Sequence, residues 1–250
     1  MMFEFLQPLK TEPLPFEYKV RISSRARHVR IKISHWGEVE VVTPKGVSQK
    51  KVSAFIHEQR AWVIESLSRL KQQHHQNLDT TLPTMVALAA LDSRWQIRYE
   101  QRPAQGNLTP SSRITETDQS LLITTSSEGN PREQLRKWLH EKAKITLSPL
   151  LLEVSTALAL PYGKLTIRGQ KSRWGSCSQR KNINLNRNLL FLPRSLVRYL
   201  LVHELCHTVH LNHSREYWAL VKSIEPNYRE LERALNHGWR YVPLWAYATS

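Results

Sequence analysis

The stretch that most narrows what this chain can become is Leu200-Leu201-Val202-His203-Glu204-Leu205-Cys206-His207. Residues four apart on a helix share a face and lie about 6 Å apart along the axis, so His203 and His207 reach one ion. Glu204 follows the first histidine and faces the same ion. In this H-E-x-x-H arrangement the histidines hold zinc and the glutamate acts on a metal-bound water. Such a site needs a rigid support, and Leu196, Val197, Leu200, Leu201, Leu205 and Val209 supply a buried stripe on a helix beginning near Pro193.

Catalytic zinc takes three protein ligands and keeps a position for water. His213 stands beyond Leu211-Asn212, where Asn can turn the chain back in a left-handed conformation. The resulting spacing resembles the H-E-x-x-H-x-x-x-x-x-H pattern of many zinc peptidases. Glu216 is the rival third ligand, since some zinc peptidases use a downstream carboxylate. His210 lies about 10 Å along the axis from His203, too far to share the ion, and is assigned to the wall of the site.

Just upstream, Asn182-Ile183-Asn184-Leu185-Asn186-Arg187-Asn188-Leu189 alternates at period two, the pattern of a strand with four asparagines on one face. Asparagine is a poor strand former, so this face is wet or meets another backbone. Asn184, Asn186 and Asn188, with Arg173, are therefore candidate substrate-binding residues, the strand pairing with an extended polypeptide.

The N-terminal half carries strand alternation at Tyr18–Ser23, Val29–Ile33 and Glu38–Val42, read as an antiparallel meander with a turn at His35-Trp36-Gly37. A helix is expected from Ser48 to an end near Gln72–Gln76, and His74 and His75 in its polar tail are read as surface histidines. Short strands are expected at Trp95–Tyr99 and Leu121–Ile123. The break at Ser126–Pro131 is the candidate lobe boundary, dividing the chain into 1–130 and 131–250. A long helix follows to about Leu160, with a kink expected near Ser148-Pro149. Beyond the metal helix, Ser214 is a candidate cap for a helix bearing Tyr217 and Trp218, and the Trp239–Trp245 tail folds back as a clasp or an edge strand.

Charge adds a second constraint. The chain has 36 Lys plus Arg against 21 Asp plus Glu, a net charge of +15, and no acidic residue lies between Val154 and His203. A field of this sign attracts acidic partners, either a polyanion such as nucleic acid or an acidic polypeptide segment. Two cysteines without a C-x-x-C pair argue against a disulfide framework, and no run approaches 18 apolar residues. The chain is therefore expected to be cytoplasmic and to have no membrane partner.

The run Arg173-Trp174-Gly175-Ser176-Cys177, the alternating strand leading to Leu192-Pro193, His203-Glu204-Leu205-Cys206-His207, and Asn212-His213-Ser214 followed by Tyr217-Trp218 resemble the YgjP-like zinc metallopeptidase family. Its relatives include the SprT-like and WLM proteases. The specific motifs span residues 164–236. The resemblance implies His203, His207 and His213 as ligands of one zinc ion and Glu204 as general base. Arg173, His210 and Tyr217 are candidates for stabilising the oxyanion by their nearness in sequence alone. His210 stands where metzincins have Gly, so no metzincin-type fold is expected.

The expected fold is α+β: a zincin-like catalytic lobe, its metal helix packed on an antiparallel or mixed sheet, preceded by a strand-rich N-terminal lobe with one long helix. The expected function is zinc-dependent hydrolysis of peptide bonds in a polypeptide substrate. The alternative is a nucleic-acid-associated binding module whose zinc is structural, and coordination separates the two, because a structural site is closed by four protein ligands.

Overall fold

The computed structural model describes residues 13–34, 37–73, 82–101, 113–125 and 129–247. The chain is a mixture of helices and mixed sheets, divided into two compact units, Met1–Leu78 and Asp79–Ser250. The pair His74-His75 and the turn residues His35-Trp36 lie outside the described residues.

In the first unit, β1 (Tyr18–Ile22), β2 (Arg30–Ile33) and β3 (Val39–Thr43) form a sheet in the order β1-β3-β2. Val39, Val41 and Val42 bury β3 between two neighbours, parallel β1 and antiparallel β2. The expected antiparallel meander is thus corrected: the most apolar strand takes the centre, and β1 and β2 become edges. Ser48 caps α1 (Gln49–Glu58) by accepting the Lys51 amide. The single helix expected there is two, because the chain leaves helical geometry at Gln59 (φ −88°, ψ 6°) before α2 (Arg60–Gln73). Val41, Val52 and Ile56 form the centre of this unit's core.

The second unit opens with β4 (Met85–Leu88), β5 (Ser93–Gln101), β6 (Arg113–Glu116) and β7 (Ser120–Thr125), in the order β4-β5-β7-β6. Only β5 and β7 were expected. The other two are four-residue edge strands, too short to show a period. Helix α3 (Pro131–Leu158) begins at Asn130, whose side chain accepts the Arg132 amide, and runs through Pro149 to a left-handed Ala159. Its Trp138 Nε1 donates to Glu116 at 2.9 Å and meets Trp95 edge-on. These contacts put the β4–β7 sheet and α3 in one unit, so the chain divides at 78/79 where the sequence suggested 130/131.

Strands β8 (Leu165–Arg168), β9 (Gly175–Cys177) and β10 (Ile183–Asn186) form a mixed sheet in the order β8-β10-β9. The eight-residue strand expected at Asn182–Leu189 stops at Asn186, whose side chain accepts the Asn188 amide at 3.1 Å and starts a short 3-10 turn over Arg187–Phe191. A local side-chain bond to the backbone outcompetes the ladder, the usual behaviour of asparagine.

Helices α4 (Arg194–Cys206), α5 (Arg215–Ile224) and α6 (Tyr228–Asn236) complete the unit. The tail is a clasp rather than a strand: Trp239 stacks on Trp174 at 3.9 Å between centroids, and Arg136 and Arg187 donate to the carbonyls of Trp245, Ala246 and Tyr247. Among the described residues no helix is long and apolar enough to cross a membrane. Because Trp239 is buried on that stack, Trp239→Ala should lower stability by about 3–5 kcal/mol in urea unfolding; a loss below about 1 kcal/mol would contradict a packed clasp.

Candidate metal centre

Helix α4 is held by Leu196, Val197, Leu200, Leu201, Val202 and Leu205, all buried, which leaves His203 at the margin of its packed face. The helix ends at Cys206, and His207 caps it in a right-handed conformation. Thr208 Oγ1 donates to the Leu205 carbonyl at 2.8 Å, and the amides of Val209 and His210 both return to Cys206. The expected left-handed Asn212 is corrected, since the non-glycine residues of positive φ are Asp92, Ala159 and Lys181 among those described. Bends at Leu211 and Asn212 carry the chain round, and His213 falls just before Ser214, which caps α5.

His207 Nε2 and His213 Nε2 are 3.2 Å apart, and His213 Nε2 and His203 Nε2 are 3.3 Å apart. The ligating atoms of the three residues all lie within 4.8 Å of one another. His207 donates its Nδ1 hydrogen to the His210 carbonyl at 2.9 Å, which leaves the Nε2 lone pair free. His210 therefore serves through its backbone. His203 Nδ1 faces Glu232 Oε2 at 3.8 Å, and that oxygen accepts the Tyr199 hydroxyl at 2.7 Å. Burial, then the neighbouring His207 and His213, push His203 down to about 3, and burial also lowers His207. Both rings are thus neutral and able to ligate.

Aromatic rings wall these imidazoles. Tyr217 stacks on His207 with centroids 4.4 Å apart, and Trp218 stacks on His213 at 5.5 Å. The buried Tyr217 donates its hydroxyl to the His203 carbonyl at 3.2 Å. It is accordingly a packing residue and not the oxyanion donor that its position in the sequence suggested.

Glu204 is 4% exposed, and its Oε2 has no hydrogen-bond partner. Burial pushes its carboxyl up to about 8, against the opposing pull of the Arg173 guanidinium. Glu216 is exposed, is bonded to the Ser214 side chain, and lies outside the histidine group. The third candidate ligand is thus His213.

The asparagines behave differently from expectation. β10 is the central strand, parallel to β8 and antiparallel to β9, so it has no free edge for a substrate. Asn186 is fully buried and donates to the carbonyls of Gln170 and Arg173; Asn188 is 1% exposed. Their assignment to substrate binding is corrected: Asn186 holds the loop before β9, and Asn188 is enclosed in the turn after β10. Asn184, half-buried, bridges Arg168 and Ser176. The edge strands of this sheet are β8 and β9, and of the two it is β9 that lies against α4, with β8 against α3.

Imidazole nitrogens this close repel wherever two lone pairs face each other, so the approach needs a cation or a shared proton between them. The group therefore fits a divalent metal of the kind imidazole favours, zinc among them. Glu232 escapes sequence reading because nothing local links it to His203; only the packing of α6 on α4 brings it there.

A family model described as a YgjP-like metallopeptidase domain matches residues 27–238. No curated protein matches the chain. Among solved structures, the metallopeptidase zymogen of Pyrococcus abyssi abylysin is 26% identical over 36% of this chain and 91% of that one, with a TM-score of 0.33, too loose a superposition to bear on the fold.

A carboxylate behind a ligating imidazole orients it and raises its basicity. Glu232→Gln should weaken zinc binding by about 10–100-fold in chelator competition; unchanged affinity would remove Glu232 from the site. His203 carries a pH signature in the metal-free protein as well. Its folded pKa is depressed, so its contribution to stability is present above the ordinary value of about 6.5 and is lost as pH falls towards about 3. Thermal melts of the metal-free chain should show that loss, and His203→Gln should flatten it.

Proposed function

The chain belongs to the YgjP-like metallopeptidase family, and from that premise we propose that it is a zinc-dependent peptidase of zincin-like design. His203, His207 and His213 hold one zinc ion, and Glu204 is the general base. The observation that carries this reading is the convergence of three imidazole Nε2 atoms on one point, beside a buried glutamate with an unpartnered oxygen.

The ion, when bound, supplies Lewis acidity that polarises the scissile carbonyl and acidifies the attacking water. The rest falls to the chain. Glu204 takes the proton from that water at Oε2 and returns it to the leaving amine. A cation beside it, with Arg173, favours the ionised carboxylate that burial opposes. Arg173 is exposed and acts on the same carboxylate, which suits it to meet negative charge developing on the substrate. The open edge of β9 offers main-chain donors and acceptors to an extended polypeptide, the role first sought on β10.

The rival reading of a structural zinc needs a fourth protein ligand. Among the described residues, no further His, Cys, Asp or Glu joins the three histidines.

Glu204→Gln should keep zinc and lower kcat/KM on an unstructured protein substrate by about 10²–10⁴-fold. Full activity in a zinc-loaded Glu204→Gln protein would remove the residue from the mechanism.

A further inference from the structure

Gly175 opens β9 and pairs with Leu185 across the sheet. Its φ is not positive, in contrast to Gly37 and Gly46, whose turns use glycine's conformational freedom. Any residue could adopt the backbone at position 175. What sets glycine apart there is the missing Cβ.

A Cβ at this position would lie 2.4 Å from Glu204 Oε1 and 2.8 Å from both Cδ and Cγ of the same residue. Those distances are far inside van der Waals contact, and they involve Cγ, Cδ and one carboxyl oxygen of the side chain. We propose that Gly175 is a positioning residue for the general base, its bare backbone being the seat in which the Glu204 side chain lies. The inference rests on the role given to Glu204 above.

The surroundings decide which partner would yield to an added methyl. The approach to β9 is fixed from several directions: Asn186 donates its amide to the Trp174 carbonyl at 2.8 Å and its side chain to the Arg173 carbonyl at 2.9 Å. Trp174 donates Nε1 to the Leu235 carbonyl at 3.1 Å and stacks on Trp239. The α4 backbone beneath Glu204 is set by the buried leucines and valines of its apolar face. The movable part is the Glu204 side chain, which must turn out of its seat. The three heavy atoms nearest the added methyl all belong to Glu204 and none to a histidine, so zinc binding should survive.

The test is a cycle on the zinc-loaded chain with Gly175→Ala, Glu204→Ala and the double variant. Gly175→Ala should retain zinc affinity in chelator competition and lose about 10²-fold in kcat with little change in KM, as expected when a catalytic group is displaced by about 1 Å. It should also lower Tm by about 2–4 °C. In the Glu204→Ala background, where the seat is vacant, the same methyl should cost no Tm. A Tm loss of equal size in both backgrounds would overturn the proposal, because the strand and not the glutamate would then be the damaged partner. Unchanged kcat in Gly175→Ala would overturn it as well. If Gly175→Ala fails to fold, recovery of folding in the double variant supports the seat, and failure of the double variant while Glu204→Ala folds overturns it. The Tm cycle needs no substrate, so a failure of the peptidase reading shows separately, as absent hydrolysis in the unmutated chain.

Discussion

Three imidazoles do not gather by themselves. His213 Nε2 stands 3.2 Å from His207 Nε2 and 3.3 Å from His203 Nε2, and the surrounding structure has to hold the rings together. Helix α4 supplies His203 and its C-cap is His207, and the bends after the helix return the third. Tyr217 and Trp218 press on His207 and His213 from α5. The site is thus preorganised for a cation by packing, and the aromatic residues of α5 are part of that packing.

A second layer governs Glu204. Burial raises its pKa, so an isolated carboxyl there would be protonated near neutrality. Arg173 opposes this from the loop before β9, and that loop is held by Asn186 and by the Trp174–Trp239 stack. The run Arg173-Trp174-Gly175 therefore has a physical reading: a charge beside the base, an anchor into the clasp, and an open seat for the carboxylate. Fold and chemistry meet in these three residues.

The start of the helix near 194, the cap at Ser214 and the histidine spacing were legible in the sequence because they depend on local periodicity and local hydrogen bonds; the helix end at Cys206 was not, the apolar stripe running on to Val209, which is exposed. The parallel pairing of β1 with β3, the central place of β10 and the approach of Glu232 to His203 were not, since each depends on which distant segments meet. Asn186 shows the limit most clearly. Its alternation with Leu185 left open whether that face meets water or another backbone; the side chain is buried against the Gln170 and Arg173 carbonyls and ends the strand by accepting the Asn188 amide. A pattern of polarity reports which face differs, and it does not report whether water or buried backbone supplies the hydrogen bonds.

The most direct test of the account is the coordination of zinc in the loaded chain, measured by X-ray absorption at the zinc edge. One ion per chain with three imidazole nitrogens at about 2.0–2.1 Å and one further oxygen is the predicted result, with His213→Ala reducing the nitrogen count to two. A sulfur ligand, or four protein ligands that leave no position for water, would contradict it.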